Sequence, residues 1–231
     1  QPPLITGKIL GVYNNYEKLR REPTEDKVTW LKRAADMSEI YYKHFTTTPH
    51  FHEQSGLSMY SSDLGEPCFE VIHSEKSHYD KALKLLRSMF EKQDTLGWEE
   101  DKLTLLDYQD RKDRYYLEQY YIPAKGDEPD RLSPNFYRGD RAMRETGFDP
   151  SRRFGFFNID VINYLPVCLN SLRHKIEREM GLIYWELASY EPNGENAHGE
   201  GWYDLATRWE TQAGKSAELI NEWLWDEGER D

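Results

Sequence analysis

The chain has 231 residues, a formal charge of −12 from 42 acidic and 30 basic residues, and a composition 38% hydrophobic and 14% aromatic. That is enough apolar chain for one domain with a sizeable core, while the acidic balance argues against phosphate backbones and anionic lipid headgroups as partners. No apolar run reaches bilayer length, and Gln1-Pro2-Pro3-Leu4-Ile5 lacks the charged-then-apolar layout of a signal peptide. The compartment is left open between the cytoplasm and a periplasmic or secreted location.

In chain order, the first expected element is an amphipathic helix over residues 26–45. Val28, Leu31, Ala35, Ile40 and Phe45 recur near helical spacing, and Thr24 stands where an N-cap would. Residues 46–73, rich in Thr, Ser, Gly and Pro, read as a long irregular connection. A second helix is predicted from about Glu75 to Lys92, with Tyr79, Leu83, Leu86 and Phe90 on one face. Asp101 to Tyr121 could be helical but holds no single period, and Pro123, Gly126, Pro129 and Pro134 mark a polar loop. Residues 135–158 are dense in Arg, Asp, Gly and aromatics, the composition of a site-bearing loop. Further helices are expected over about Pro166–Met180 and Trp202–Trp225. No β-branched alternation calls for a sheet, so the expected class is all-α, one domain of helices joined by long loops.

Cys68 and Cys168 lack CxxC spacing and are expected to be buried free thiols. The seven His form no tight ligand pattern. His50-Phe51-His52 could put two imidazoles on one face of a strand, but no carboxylate completes a ligand set, so no metal is expected. Sixteen Tyr, nine Phe and seven Trp hint at rings that stack on sugar faces.

The segment from Asp140 to Phe154 carries Glu145, Gly147, Asp149, Ser151 and Arg153 in the spacing E-T-G-F-D-P-S-R-R-F. It resembles the signature E-S-G-W-D-x-S-x-R-W of the trehalases of glycoside hydrolase family 37. Leu165-Pro166-Val167-Cys168-Leu169-Asn170-Ser171-Leu172 resembles that family's V-P-V-D-L-N-S-L, and shorter echoes stand at Gln1-Pro2-Pro3 and Trp223-Leu224-Trp225-Asp226. The resemblance implies an (α/α)6 barrel, of which residues 1–231 would be the central and C-terminal part. It also implies hydrolysis of α,α-trehalose, or a close α-glucoside, to glucose with inversion, without a cofactor.

Inversion uses one carboxylic acid to protonate the glycosidic oxygen and one carboxylate to activate water. By the motif, Asp149 is the acid, with its pKa raised by apolar and acidic neighbours. Substrate contacts would come from Arg144, Glu145, Phe148, Arg153, Glu118 and Asn170. Glu118 stands for the Glu of an R-P-E-S-like segment whose Arg is replaced by Tyr116, although Arg114 lies two residues earlier. Phe148 replaces a Trp and loses its indole N–H, and Cys168 replaces an Asp, which suggests a dry packing role. The base-bearing segment would follow Asp231; Glu200-Gly201-Trp202 looks similar but falls too early in the order. Two alternatives are a related (α/α)6 glycosidase for another glucoside or mannoside, and a non-catalytic piece that needs a partner chain to supply the base. The expected partners are a disaccharide and either the remaining part of the enzyme or a second copy, with no nucleic acid and no membrane.

Overall fold

The computed structural model describes residues 5–19, 26–75, 77–93, 105–147 and 153–225. Its elements in chain order are α1 (Ile5–Asn14), α2 (Tyr16–Leu19), α3 (Lys27–Thr46), β1 (Phe51–His52), β2 (Leu57–Ser58), α4 (Phe69–Ser74), α5 (His78–Gln93) and α6 (Leu105–Tyr120). There follow β3 (Tyr121–Ile122), β4 (Arg131–Leu132), α7 (Pro134–Thr146), a 3-10 segment (Phe156–Asn163), α8 (Val167–Tyr190) and α9 (Trp202–Leu224). The strands form two isolated antiparallel hairpins, β1 with β2 and β3 with β4. The all-α expectation therefore holds, and the chain folds as two compact units, residues 1–60 with 163–231, and residues 61–162.

In the first unit, α1, α3, α8 and α9 share one core. Leu31 and Ala35 of α3 meet Ile176, Met180, Ile183, Tyr184 and Leu187 of α8 and Leu205, Ala206 and Trp209 of α9. These positions recur at three- and four-residue steps, so each helix offers one apolar stripe. Each fully buried Leu or Ile contributes roughly 1.5–3 kcal/mol.

The helix predicted over 26–45 is α3, capped by Asp26; the expected cap, Thr24, lies outside the described residues. Asp26 Oδ1 accepts from the backbone N–H of Val28 at 3.0 Å and Thr29 at 2.9 Å, satisfying two of the orphan donors at the helix start. The predicted end of the next-to-last helix at Met180 falls ten residues short, because Gly181 does not stop it. A Cβ at Gly181 would lie 3.3 Å from Glu210 Cγ of α9, so this glycine serves close helix approach, and α8 continues to Tyr190.

The second unit packs α5, α6, α7 and the β3–β4 hairpin around Leu86, Tyr116, Leu117, Tyr120, Leu132, Phe136 and Ile159. Two expectations are corrected here. The stretch 46–73 is not wholly irregular, since it contains the β1–β2 hairpin and α4. The Arg- and Asp-rich stretch from 135 is a helix for most of its first half: Ser133 caps it, Pro134 opens it, and Phe136, Gly139, Asp140, Met143 and Thr146 are buried at helical spacing. Gly139 lets α7 touch the 3-10 segment, where a Cβ would lie 2.8 Å from Ile159 Cβ and overlap its carbonyl oxygen.

The thiols are free, but not buried as expected. Cys68 is half-buried and Cys168 is exposed in the first turn of α8, so Cys168 does not fill the dry packing role its substitution for Asp suggested. Among the described residues no helix is long and apolar enough to cross a membrane.

Candidate active site

The acid motif begins at the C-terminal end of α7. Gly147 terminates that helix in the left-handed region at φ 73°, a conformation that an L side chain rarely takes. Thr146 donates to Met143 O at 2.7 Å and closes the last turn. Phe148 and the expected acid Asp149 lie outside the described residues, so what is visible is the platform from which the motif leaves.

The platform is organised by Asp140, whose side chain is fully buried. Its Oδ1 accepts from His78 Nε2 at 2.8 Å, its Oδ2 accepts from Tyr79 at 3.1 Å, and Arg144 reaches both oxygens, Nε to Oδ2 at 3.3 Å and Nη2 to Oδ1 at 3.4 Å. A carboxylate can only accept, so His78 carries its proton on Nε2. Burial by itself pushes the Asp140 carboxyl up, but the His78 hydrogen bond and the Arg144 charge and hydrogen bond outweigh it, and the group sits below its ordinary value of 3.8. Arg144 is shifted the other way. Burial pulls it down, while Asp140 and Glu75 more than restore its charge, with Glu75 Oε1 at 3.3 Å from Nη1.

Arg144 thereby faces a cavity of about 520 Å³ lined also by Glu70, Glu75, His78, Met143 and Phe157. Phe157 and Asn158 both take left-handed backbone, with φ of 49° and 54°, a cost of about 1–3 kcal/mol per residue. Two contacts hold the turn. Asn158 Oδ1 accepts from Phe154 N at 3.1 Å, and the Phe157 ring packs edge-on to His78 with centroids 5.3 Å apart. The same turn carries Gly155 at φ 74°, where a Cβ would overlap Tyr116 Oη, and Asp160, which accepts from Tyr120 at 2.5 Å. Burial and the Asp160 carboxylate keep the Tyr116 and Tyr120 phenols protonated well above their usual range.

The remaining expected contacts fall in different places. Glu145 is half-buried on α7 and Arg153 is exposed at the start of the strained turn, so Arg144, Glu145 and Arg153 all bracket the motif. Glu118 is exposed on α6 and pairs with Arg114 at 3.1 Å. Asn170 is fully buried in the other unit: its Oδ1 accepts from Ser58 N at 2.8 Å, and its Nδ2 donates to Ser58 O at 2.9 Å and Pro166 O at 3.0 Å. That amide is committed to pinning the β1–β2 hairpin onto α8. Sequence reasoning missed His78, Glu75 and Asp140. The i, i+4 spacing of Asp140 and Arg144 was a usable signal, whereas nothing local marks His78, which comes from another helix.

An all-α chain of capped helices agrees with the class of helical glycoside hydrolases that its motifs resemble. Comparison with known proteins narrows the class. The chain is 30% identical to a cytosolic neutral trehalase of Kluyveromyces lactis. It is 27% identical to a probable trehalase of Saccharomyces cerevisiae and 28% identical to a cytosolic neutral trehalase of the same yeast. Each match covers 98% of this chain. The chain is thus trehalase-like over nearly its whole length, and it spans about a quarter of the length of these curated relatives. No family model matches it, nor does any solved structure match significantly.

Proposed function

We propose that this chain supplies the proton-donor part of an inverting trehalase, with Asp149 as the general acid. The observation that carries the reading is the match of Glu145, Gly147, Asp149, Ser151 and Arg153 to the trehalase signature, within a chain whose relatives are named trehalases. In this reading Asp149 gives its proton to the glycosidic oxygen of α,α-trehalose as the C–O bond breaks. A carboxylate on the opposite face takes a proton from the attacking water, at a carboxyl separation of roughly 6.5–9.5 Å that leaves room for that water. The base belongs to the part of the relatives' length that this chain does not span. In this reading Arg144, Glu145 and Arg153 hold sugar hydroxyls, with Arg144 fixed by Asp140 and Glu75. The fold to which the chain contributes is an (α/α)6 barrel, and the enzyme works in the cytosol, as two of the relatives are named to do.

The test is glucose release from trehalose by the full-length protein, with the anomeric form of the first product read by NMR. Asp149→Asn is expected to lower kcat by at least about a thousandfold, and the wild type to release one α- and one β-glucose per trehalose. Unchanged turnover in Asp149→Asn, or two α-glucoses, refutes the acid assignment or the inversion respectively.

A further inference from the structure

The unit formed by residues 1–60 and 163–231 has a cavity of its own, about 640 Å³, enclosed by α3, the β1–β2 hairpin, α8, the loop after it and α9. That volume lies in the roughly 300–1,000 Å³ range of small-molecule sites.

Its floor is a buried polar network in which Glu177 Oε2 is left without a hydrogen-bond partner. Arg173, 2% exposed, donates from Nη1 to Gly56 O at 3.0 Å and Ser58 Oγ at 3.1 Å, and from Nη2 to Ser216 Oγ at 2.9 Å. Its Nε is 3.2 Å from Glu177 Oε1, an ion pair at an angle that leaves Nε without a proper hydrogen bond. Tyr42 donates to the same Oε1 at 2.6 Å, and burial followed by the Glu177 charge keeps that phenol protonated well above its usual range. The buried charge is therefore matched inside the floor, and the Tyr42 ring is locked in place. That ring packs edge-on to Trp209 with centroids 4.8 Å apart, and Phe51 completes an aromatic wall.

The rim has a different character. Arg208 bridges Glu200 Oε1 at 2.5 Å and Glu39 Oε1 at 3.5 Å, and Tyr184 donates to Glu39 at 2.8 Å. Carboxylate acceptors, guanidinium donors and the Gln212 amide thus stand side by side around an aromatic wall. Glu39, Glu200 and Arg208 are already paired with one another, and Lys43, Lys215 and His198 also line the cavity. A molecule with an apolar C–H face and a rim of hydroxyls, each both donor and acceptor, complements all of it. We infer that this cavity binds a neutral saccharide of one or two rings, its C–H face on Tyr42 and Phe51 and its hydroxyls on Glu200, Arg208 and Gln212. The site uses no residue of the 145–153 motif, so it stands or falls apart from the trehalase reading.

The probe is the full-length protein with ¹⁵N-labelled Trp. The indole N–H signal of Trp209 is the one deleted by Trp209→Phe. On titration with maltose and with α,α-trehalose that signal should shift and saturate, and Gln212→Ala should raise the half-saturating concentration about tenfold, the loss of roughly one hydrogen bond. Should Trp209→Phe not fold, calorimetric titration of the wild type against Gln212→Ala, a half-exposed position, gives the same answer. In Asp149→Asn the Trp209 response should persist while turnover is lost, which separates failure of one site from failure of the other. A Trp209 signal that stays fixed up to about 100 mM sugar overturns the inference. So does equal affinity in Gln212→Ala, loss of the response in Asp149→Asn, or a response to glucose 6-phosphate but to no neutral sugar.

Discussion

Replacing Asp140 by Asn isolates what the buried cluster under the motif contributes. The substitution keeps the shape and one acceptor but removes the charge and turns an NH2 group toward donors. Asp140 is fully buried and carries a hydrogen bond from His78, another from Tyr79 and a two-pronged contact from Arg144. Charge-assisted hydrogen bonds contribute about 1.5–3 kcal/mol each, and breaking a buried pair by neutralising one partner costs about 3–5 kcal/mol. Arg144 is about three-quarters buried and retains Glu75, so the lower part of that range is expected, near 3 kcal/mol. For a chain of this size that corresponds to a fall in Tm of roughly 6–12 °C, read by circular dichroism at pH 7.

The pH dependence supplies the sign. The folded carboxyl sits below its ordinary value of 3.8, so its contribution is fully present above that value and disappears as pH falls through the lower folded value. The gap between wild type and Asp140→Asn should therefore be constant from about pH 7 to 5 and close below about pH 4. Variants that melt within about 1 °C of each other at pH 7, or a gap that widens on acidification, would refute this account of the cluster.

Three other substitutions probe the scaffold. Gly139→Ala should lower stability by at least about 2 kcal/mol, because the new methyl meets the Ile159 backbone and not a movable side-chain tip; urea unfolding measures it. Asp26→Ala should cost about 1 kcal/mol by uncapping α3, and Asp26→Asn should recover most of the loss in the same assay. Tyr120→Phe leaves Asp160 short of its 2.5 Å donor and should cost about 1–3 kcal/mol, visible as an earlier thermal transition.

The elements legible in the sequence were those whose apolar stripe is uninterrupted. α3, α5 and α9 were located to within a few residues, since Leu31 and Ala35, or Leu205 and Trp209, face one core at helical spacing. α7 was hidden because its stripe includes Asp140, a charged residue buried by its partners, and a rule that places charge outside misreads that position. α8 was cut short because glycine within a helix usually signals an end, whereas Gly181 is there to admit α9. For the candidate site, the motif located the turn but not its support. His78 reaches Asp140, and Glu75 reaches Arg144, from more than sixty positions away in sequence, and no local pattern encodes such a meeting. Asn170 illustrates the opposite case: the motif that contains it reads as a sugar contact, yet its amide is fully used within the fold.

The order of the two units along the chain bears on how the molecule comes into being. Along the chain, residues 61–162 form one continuous unit between the two segments of the other. On a ribosome residues 61–162 emerge while Leu31 and Ala35 of α3 still await α8. Because the entropy lost on closing a loop grows with the length of flexible chain it contains, an insert that has already folded shortens the search by which α3 finds α8. Substitutions that delay the folding of residues 61–162, such as those at Asp140 or Gly139, would then slow assembly of a core they do not touch, with the α3 stripe left exposed to aggregation in the interval.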